Sequence, residues 1–161
     1  MPKPVLPHRE PLYLEDLEVG RRFISRPYAV TAEEAHGFAA AYDPQAIHLD
    51  DQAARASLFQ GMVVSGWFTA AVSMRLFVEE GPPIAGGSIG LGGEISWPRP
   101  TRPGDTLRVT SEILGVTPSR SRRDRGIVTI RNETLNQRGE VVQTFTGKLL
   151  VPRRTAPRGQ A

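Results

Sequence analysis

Apolar and polar residues alternate along much of the second half of the chain, as in Thr106-Leu107-Arg108-Val109-Thr110 and Ile127-Val128-Thr129-Ile130-Arg131. A period of two marks strands that bury one face. Four such stretches, Ser88 to Trp97, Thr106 to Val116, Gly126 to Leu135 and Val141 to Val151, are separated by Pro98 to Gly104, Pro118 to Arg125 and Asn136 to Gly139. Consecutive strands with short turn-forming connections predict an antiparallel sheet. A rougher alternation over Arg21 to Val30 adds one more strand, for about five in all.

The first half follows the helical period instead. Thr31-Ala32-Glu33-Glu34 reads as a capping box, so a helix is expected from there to about Tyr42, stopping before Pro44. Asp43 then falls at a helix end, in an irregular segment. Asp50 is placed to cap a short helix over Asp51 to Ala56, which Phe59-Gln60-Gly61 breaks. A long apolar helix is expected from Met62 to about Glu80, where Gly81-Pro82-Pro83 ends it. Along it Ser65, Thr69 and Ser73 recur every fourth residue, a small-residue stripe against which another element can lie closely. The pattern predicts an α+β domain: an antiparallel sheet of about five strands and one long buried helix.

A chain of 161 residues, 39% hydrophobic and 23% charged, suits one domain with a real core. The proline-rich start, 1–13, reads as an arm, 14–152 as the domain, and 153–161 as a flexible basic tail. The lack of cysteine removes disulfides, thiolate ligands and thiol nucleophiles, and fits a reducing cytoplasm, as does a start without a signal-like apolar run. Met62 to Val78 is interrupted by Ser65, Gly66, Thr69, Ser73 and Arg75, so a buried helix is expected rather than a membrane span. The net charge of +3 comes largely from Arg120 to Arg125 and the tail, with no basic stripe for nucleic acid. Three scattered histidines predict no metal site. Gly86 to Gly93 leads into a strand, not a helix, and reads as flexible or closely packed backbone rather than a nucleotide fingerprint.

The chemistry concentrates at Asp43 and His48, five positions apart across Pro44. Alone, Asp43 is an ordinary turn residue and His48 an ordinary loop or core histidine. Together, between a capped helix and an apolar helix entered through glycine, they read as a general acid–base pair. A partly dry helix terminus is expected to raise the Asp43 pKa, while an imidazole titrates near neutrality. An N–H of Gly61 or Met62, at the expected start of the long helix, could serve as an oxyanion donor. His36 reads as structural.

Phe38-Ala39-x-x-Tyr42-Asp43-x-x-x-x-His48-x-Asp50, followed by Gly61-Met62 and Gly66, resembles the MaoC-like dehydratase and (R)-specific enoyl-CoA hydratase family. The resemblance implies a hotdog fold, an antiparallel sheet wrapped around a central helix, and a homodimer or higher assembly of dimers. It implies reversible addition of water to a trans-2-enoyl-CoA, giving the (R)-3-hydroxyacyl thioester, with coenzyme A entering as part of the substrate and no cofactor. Asp43 and His48 match the family's catalytic pair and Gly61 its thioester-polarising glycine. Met62 and Gly66 belong to the same substrate-binding stretch. Thr69 falls where the family carries a serine near the carboxylate, and Gln60 where it often has histidine. Arg99, Arg102, Arg122 and Arg123 are candidates for the coenzyme A phosphates. A hotdog thioesterase and a catalytically silent acyl-CoA-binding subunit are the alternative readings.

Overall fold

The computed structural model describes residues 9–154; His8 and the last seven residues of the expected tail lie outside them. Six strands form the sheet: β1 (Arg22–Ile24), β2 (Tyr28–Ala29), β3 (Ile89–Ser96), β4 (Thr106–Pro118), β5 (Arg125–Leu135) and β6 (Val141–Pro152). Their order is β1-β4-β5-β6-β3, with β2 also on β4, and every pairing is antiparallel. The expected single strand over Arg21 to Val30 is two short ones. At Ser25 the chain leaves the ladder, although its hydroxyl still accepts from Val109 N at 2.9 Å. Pro27 follows, and a proline has no N–H to donate to a ladder.

Four helices precede or cross the sheet: α1 (Ala32–Tyr42), α2 (Ala46–Leu49), α3 (Asp51–Ala56) and α4 (Gly66–Glu80). Thr31 caps α1 by accepting from Glu34 N at 3.2 Å. The reciprocal half of the expected box is rewired, because the Glu34 carboxylate accepts from the Thr31 and Tyr28 hydroxyls, both at 3.0 Å. Asp50 caps α3 as expected, accepting from Ala53 N at 2.7 Å.

The long helix begins at Gly66, not at Met62. Ser65 caps it, its side chain accepting from Trp67 N. The four residues before Gly66 are diverted by other partners. Val64 N donates to Thr101 O at 2.8 Å, and the Arg102 guanidinium donates to Met62 O and Phe59 O. A segment whose carbonyls are taken from the side cannot continue a helical ladder.

α4 lies on the inward face of the sheet. Phe68, Val72 and Leu76 pack with Val30, Leu107, Val109 and Val142, while Phe77 joins Leu14, Ile113, Val128, Ile130 and Leu149. The Thr69–Ser73 side of the helix meets the sheet side through hydroxyls: Thr69 Oγ1 donates to Thr101 Oγ1 at 3.0 Å, and Ser73 Oγ lies 2.7 Å from Thr134 Oγ1. No helix among the described residues is long and apolar enough to cross a membrane.

Parts of the expected arm and tail are fastened. Leu12 N donates to Pro83 O, and Ala85 N to Leu12 O. Arg153 and Arg154 pair with Glu15 and Asp16 at 2.7 and 2.6 Å. Replacing Thr31 by alanine should cost about 1 kcal/mol through loss of the cap. A lowered denaturant midpoint with unchanged slope checks this, and an unchanged midpoint contradicts it.

Candidate active site

α1 ends where Asp43 N donates to Ala39 O, and Pro44 keeps the chain from continuing. The chain then makes one turn of helix, α2, which the sequence reading leaves as loop, and this turn presents His48 inward. His48 is buried, and its Nδ1 lies 2.9 Å from Val63 O. A carbonyl only accepts, so Nδ1 carries a hydrogen and Nε2 is the nitrogen left to face Asp43. That nitrogen lies 3.3 Å from Asp43 Oδ2. The two residues expected to pair are therefore in contact.

The Asp43 carboxylate has two further partners. Ser65 Oγ donates to Oδ2 at 2.6 Å, and Gln45 Nε2 donates to Oδ1 at 2.7 Å. These hydrogen bonds, with a smaller contribution from His48, hold the carboxyl below its usual range and outweigh the opposing effect of burial. The expectation of a raised Asp43 pKa is thus corrected. The site at this helix end is polar enough to favour the charged form. Asp43 Oδ2 and His48 Nε2 thus face one place, where a water molecule can hydrogen-bond to both.

Asp43 and His48 line a cavity of about 400 Å³, together with Gly66, Trp67, Thr69, Trp97 and Arg99. The glycine at its wall is Gly66, the first residue of α4, where N–H groups have no partner within the helix. A Cβ on Gly66 would come within 2.9 Å of the Trp97 ring, so glycine lets Trp97 close over the helix start. The expectation for Gly61 does not fit this arrangement. Gly61 precedes the helix by five residues, and its N–H donates to Ala54 O at 3.1 Å. Met62 likewise stands outside α4, with its carbonyl bound by Arg102.

Thr69 lines the cavity, but its hydroxyl engages Thr101 and Ser65 O, not Asp43. The hydroxyl on the carboxylate is that of Ser65. A serine immediately before a glycine and an aromatic–apolar helical run is a helix-cap signal, and the same oxygen that caps the helix serves Asp43.

The four arginines separate. Arg99 borders the cavity and is exposed. Arg102 spends its guanidinium on Met62 and Phe59, holding the loop rather than facing the cavity. Arg122 and Arg123 stand in the β4–β5 turn, at the opposite end of those strands from Thr106 and the Thr101 loop.

Comparison with known proteins identifies the family and the fold. The model of the MaoC like domain family matches residues 16–137. A solved structure of the MaoC-like dehydratase from Rhodospirillum rubrum is 56% identical and superposes with a TM-score of 0.87, over 90% of this chain and 99% of that one. The (R)-hydratase from A. caviae involved in PHA biosynthesis is 28% identical, with a TM-score of 0.67 over 87% and 99% of the two chains. The uncharacterized protein YdeM of Bacillus subtilis (strain 168) is 33% identical over 141 residues, 86% of this chain and 96% of YdeM. The chain has the hotdog architecture of these dehydratase and (R)-hydratase structures, and it belongs to the MaoC-like domain family.

Proposed function

We propose that the protein is a hydro-lyase that reversibly adds water to a trans-2-enoyl-CoA or related acyl thioester, giving the (R)-3-hydroxyacyl form. The observation that carries this reading is the convergence of Asp43, His48 and Gly66 on one cavity. A water held by Asp43 and His48 surrenders one proton to the pair as its oxygen bonds to C3. The pair returns a proton to C2, so that one water is consumed per double bond. Charge developing on the thioester oxygen is met by the Gly66 N–H at the positive end of α4. Gly66 takes the role that the motif reading gives to Gly61.

Arg99, at the rim of the cavity, is the arginine placed to meet a coenzyme A phosphate. We further propose that two chains join through β3. Among the described residues that strand pairs only with β6, and its exposed Ile89 and Leu91 accompany Trp67, Met74 and Val78, exposed on α4. An unpaired edge beside exposed apolar side chains favours a second copy. Light scattering at the mass of one chain would refute this.

Asp43→Asn and His48→Ala should each lower kcat by about a hundredfold or more while still giving a folded, cooperatively melting domain. Loss of the enoyl-thioester absorbance measures the rate. Release of free thiol without hydroxyacyl product would identify a thioesterase instead. Full activity in both variants would remove the pair from the mechanism.

The Ser65 hydrogen bond is the largest influence lowering the Asp43 pKa. Ser65→Ala should therefore move the acid limb of the pH–rate profile to higher pH. The sign follows from the ionised form being the active one. With its pKa depressed, Asp43 stays charged and contributes stability above the ordinary carboxylate value, and that contribution disappears as pH falls through the lowered pKa. An acid limb unmoved by Ser65→Ala would show that Asp43 does not set it.

A further inference from the structure

The turn that leads into β4 is tied down on several sides. Asp105 is buried there; its Oδ2 accepts from Arg102 N at 2.8 Å and its Oδ1 from Gln137 Nε2 at 2.9 Å. Gly104 N donates to Val30 O, and Val30 N to Asp105 O. From this fixed base the Arg102 side chain reaches the segment between His48 and Ser65. Its Nη1 donates to Met62 O at 3.1 Å and its Nη2 to Phe59 O at 2.9 Å. A Cβ on Gly61 would stand 3.3 Å from Nη1, so a residue without a side chain lets the guanidinium lie against the backbone.

That grip has a consequence one residue further on. Met62 O and Val64 N both go to the Thr101–Arg102 turn, while Val63 O, between them, goes to His48 Nδ1 at 2.9 Å. Carbonyls of successive residues in extended backbone point to opposite sides. Fastening Met62 O on one side therefore turns Val63 O to the other, where the imidazole stands.

Val63 O decides which ring nitrogen carries the hydrogen when His48 is neutral. Nε2 lies 3.3 Å from the Asp43 carboxylate, and an anion is a stronger acceptor than a carbonyl. A neutral ring released from Val63 O would put its hydrogen on Nε2 and donate it to Asp43. The pair would then be closed on itself, and a water would find no basic nitrogen. With Val63 O in place, that tautomer would set two lone pairs against each other at the 2.9 Å contact, so the hydrogen stays on Nδ1 and Nε2 stays open. We propose that Arg102 is a positioning residue: by holding Met62 O it aims Val63 O at His48 and keeps the hydrogen of the neutral ring on Nδ1. Its effect on rate rests on the hydro-lyase reading above, whereas the placement of the hydrogen does not.

Nitrogen-15 NMR of histidine-labelled protein, at a pH where the ring is neutral, tests this. The chain has three histidines, and the spectrum of His48→Ala assigns the signals of the third. In the wild type Nδ1 should carry the hydrogen and Nε2 should be bare, the two told apart by their couplings to the ring C–H hydrogens. Arg102→Met keeps the unbranched stem and removes every donor; in it the Nε2–H tautomer should appear. Arg102→Gln, too short to span both carbonyls, gives the same comparison if the methionine variant does not fold. With a trans-2-enoyl-CoA, kcat should fall about tenfold or more in the same variants while KM stays within about twofold.

Thr31→Ala is the control, because it removes a helix cap and touches neither Arg102 nor His48. Its tautomer should be that of the wild type; an equal change there would assign the effect to lost stability and overturn the proposal. So would an unmoved tautomer in the folded Arg102 variants, a wild type already in the Nε2–H form, or a moved tautomer with kcat unchanged in an active enzyme. A tautomer that moves as expected in a protein that hydrates no enoyl-CoA refutes the hydro-lyase reading and leaves the positioning role standing. Hydration with an unmoved tautomer refutes the positioning role alone.

Discussion

One oxygen atom joins the two halves of the site. Ser65 Oγ accepts the Trp67 N–H and donates its own hydrogen to Asp43 Oδ2. The first contact fixes where α4 begins, and the second ties the end of α1 to that point. Once α4 begins at Gly66, a helix terminus faces the cavity and Trp97 can pack over a residue without a side chain. Had the helix begun at Met62, Val63 O would serve the helical ladder and could not orient the His48 ring. Cap, carboxylate and imidazole are thus parts of one hydrogen-bonded arrangement.

The sheet was legible because its strands bury one face each, and alternation reports that directly. Along β5 every second residue from Gly126 to Thr134 is buried. The contact of Asp43 with His48 was legible for a different reason: a helix stop at Pro44 leaves few paths over five residues. Where the sequence misled was the stretch Gly61 to Ser65. It is apolar and follows a glycine, so local pattern favours a helix, but its backbone is claimed by Arg102, Thr101 and His48, residues far away along the chain. No local period encodes such partners. The lowered Asp43 pKa was hidden for the same reason, since it depends on Ser65, 22 positions away.

The core is built in two textures. Toward the β4–β5 turn the helix and sheet meet through Phe77, Val128, Ile130 and Leu149. Toward the cavity of Asp43 and His48 they meet through Thr69, Thr101, Ser73, Thr134 and Gln143, all buried and hydrogen-bonded. Apolar packing is indifferent to small rotations, whereas paired hydroxyls are satisfied at one setting of the helix. The polar end therefore fixes the position of α4 beside Asp43 and His48, and the apolar end supplies cohesion.

The segment from Asp43 to Gly61 carries Asp43 and His48 but little of the core. Of its residues Ala54 and His48 are buried, while Leu58 is almost wholly exposed. Its attachment to the rest of the domain includes the Ser65 and Val63 hydrogen bonds and the one that Arg102 donates to Phe59 O. The buried apolar clusters lie in the sheet, α4 and the segments packed on them, and the Asp43–Gly61 segment is held on them lightly. Local detachment and global unfolding are consequently separable, because releasing that segment breaks the Asp43–Ser65 and His48–Val63 contacts while the sheet's own ladder remains intact.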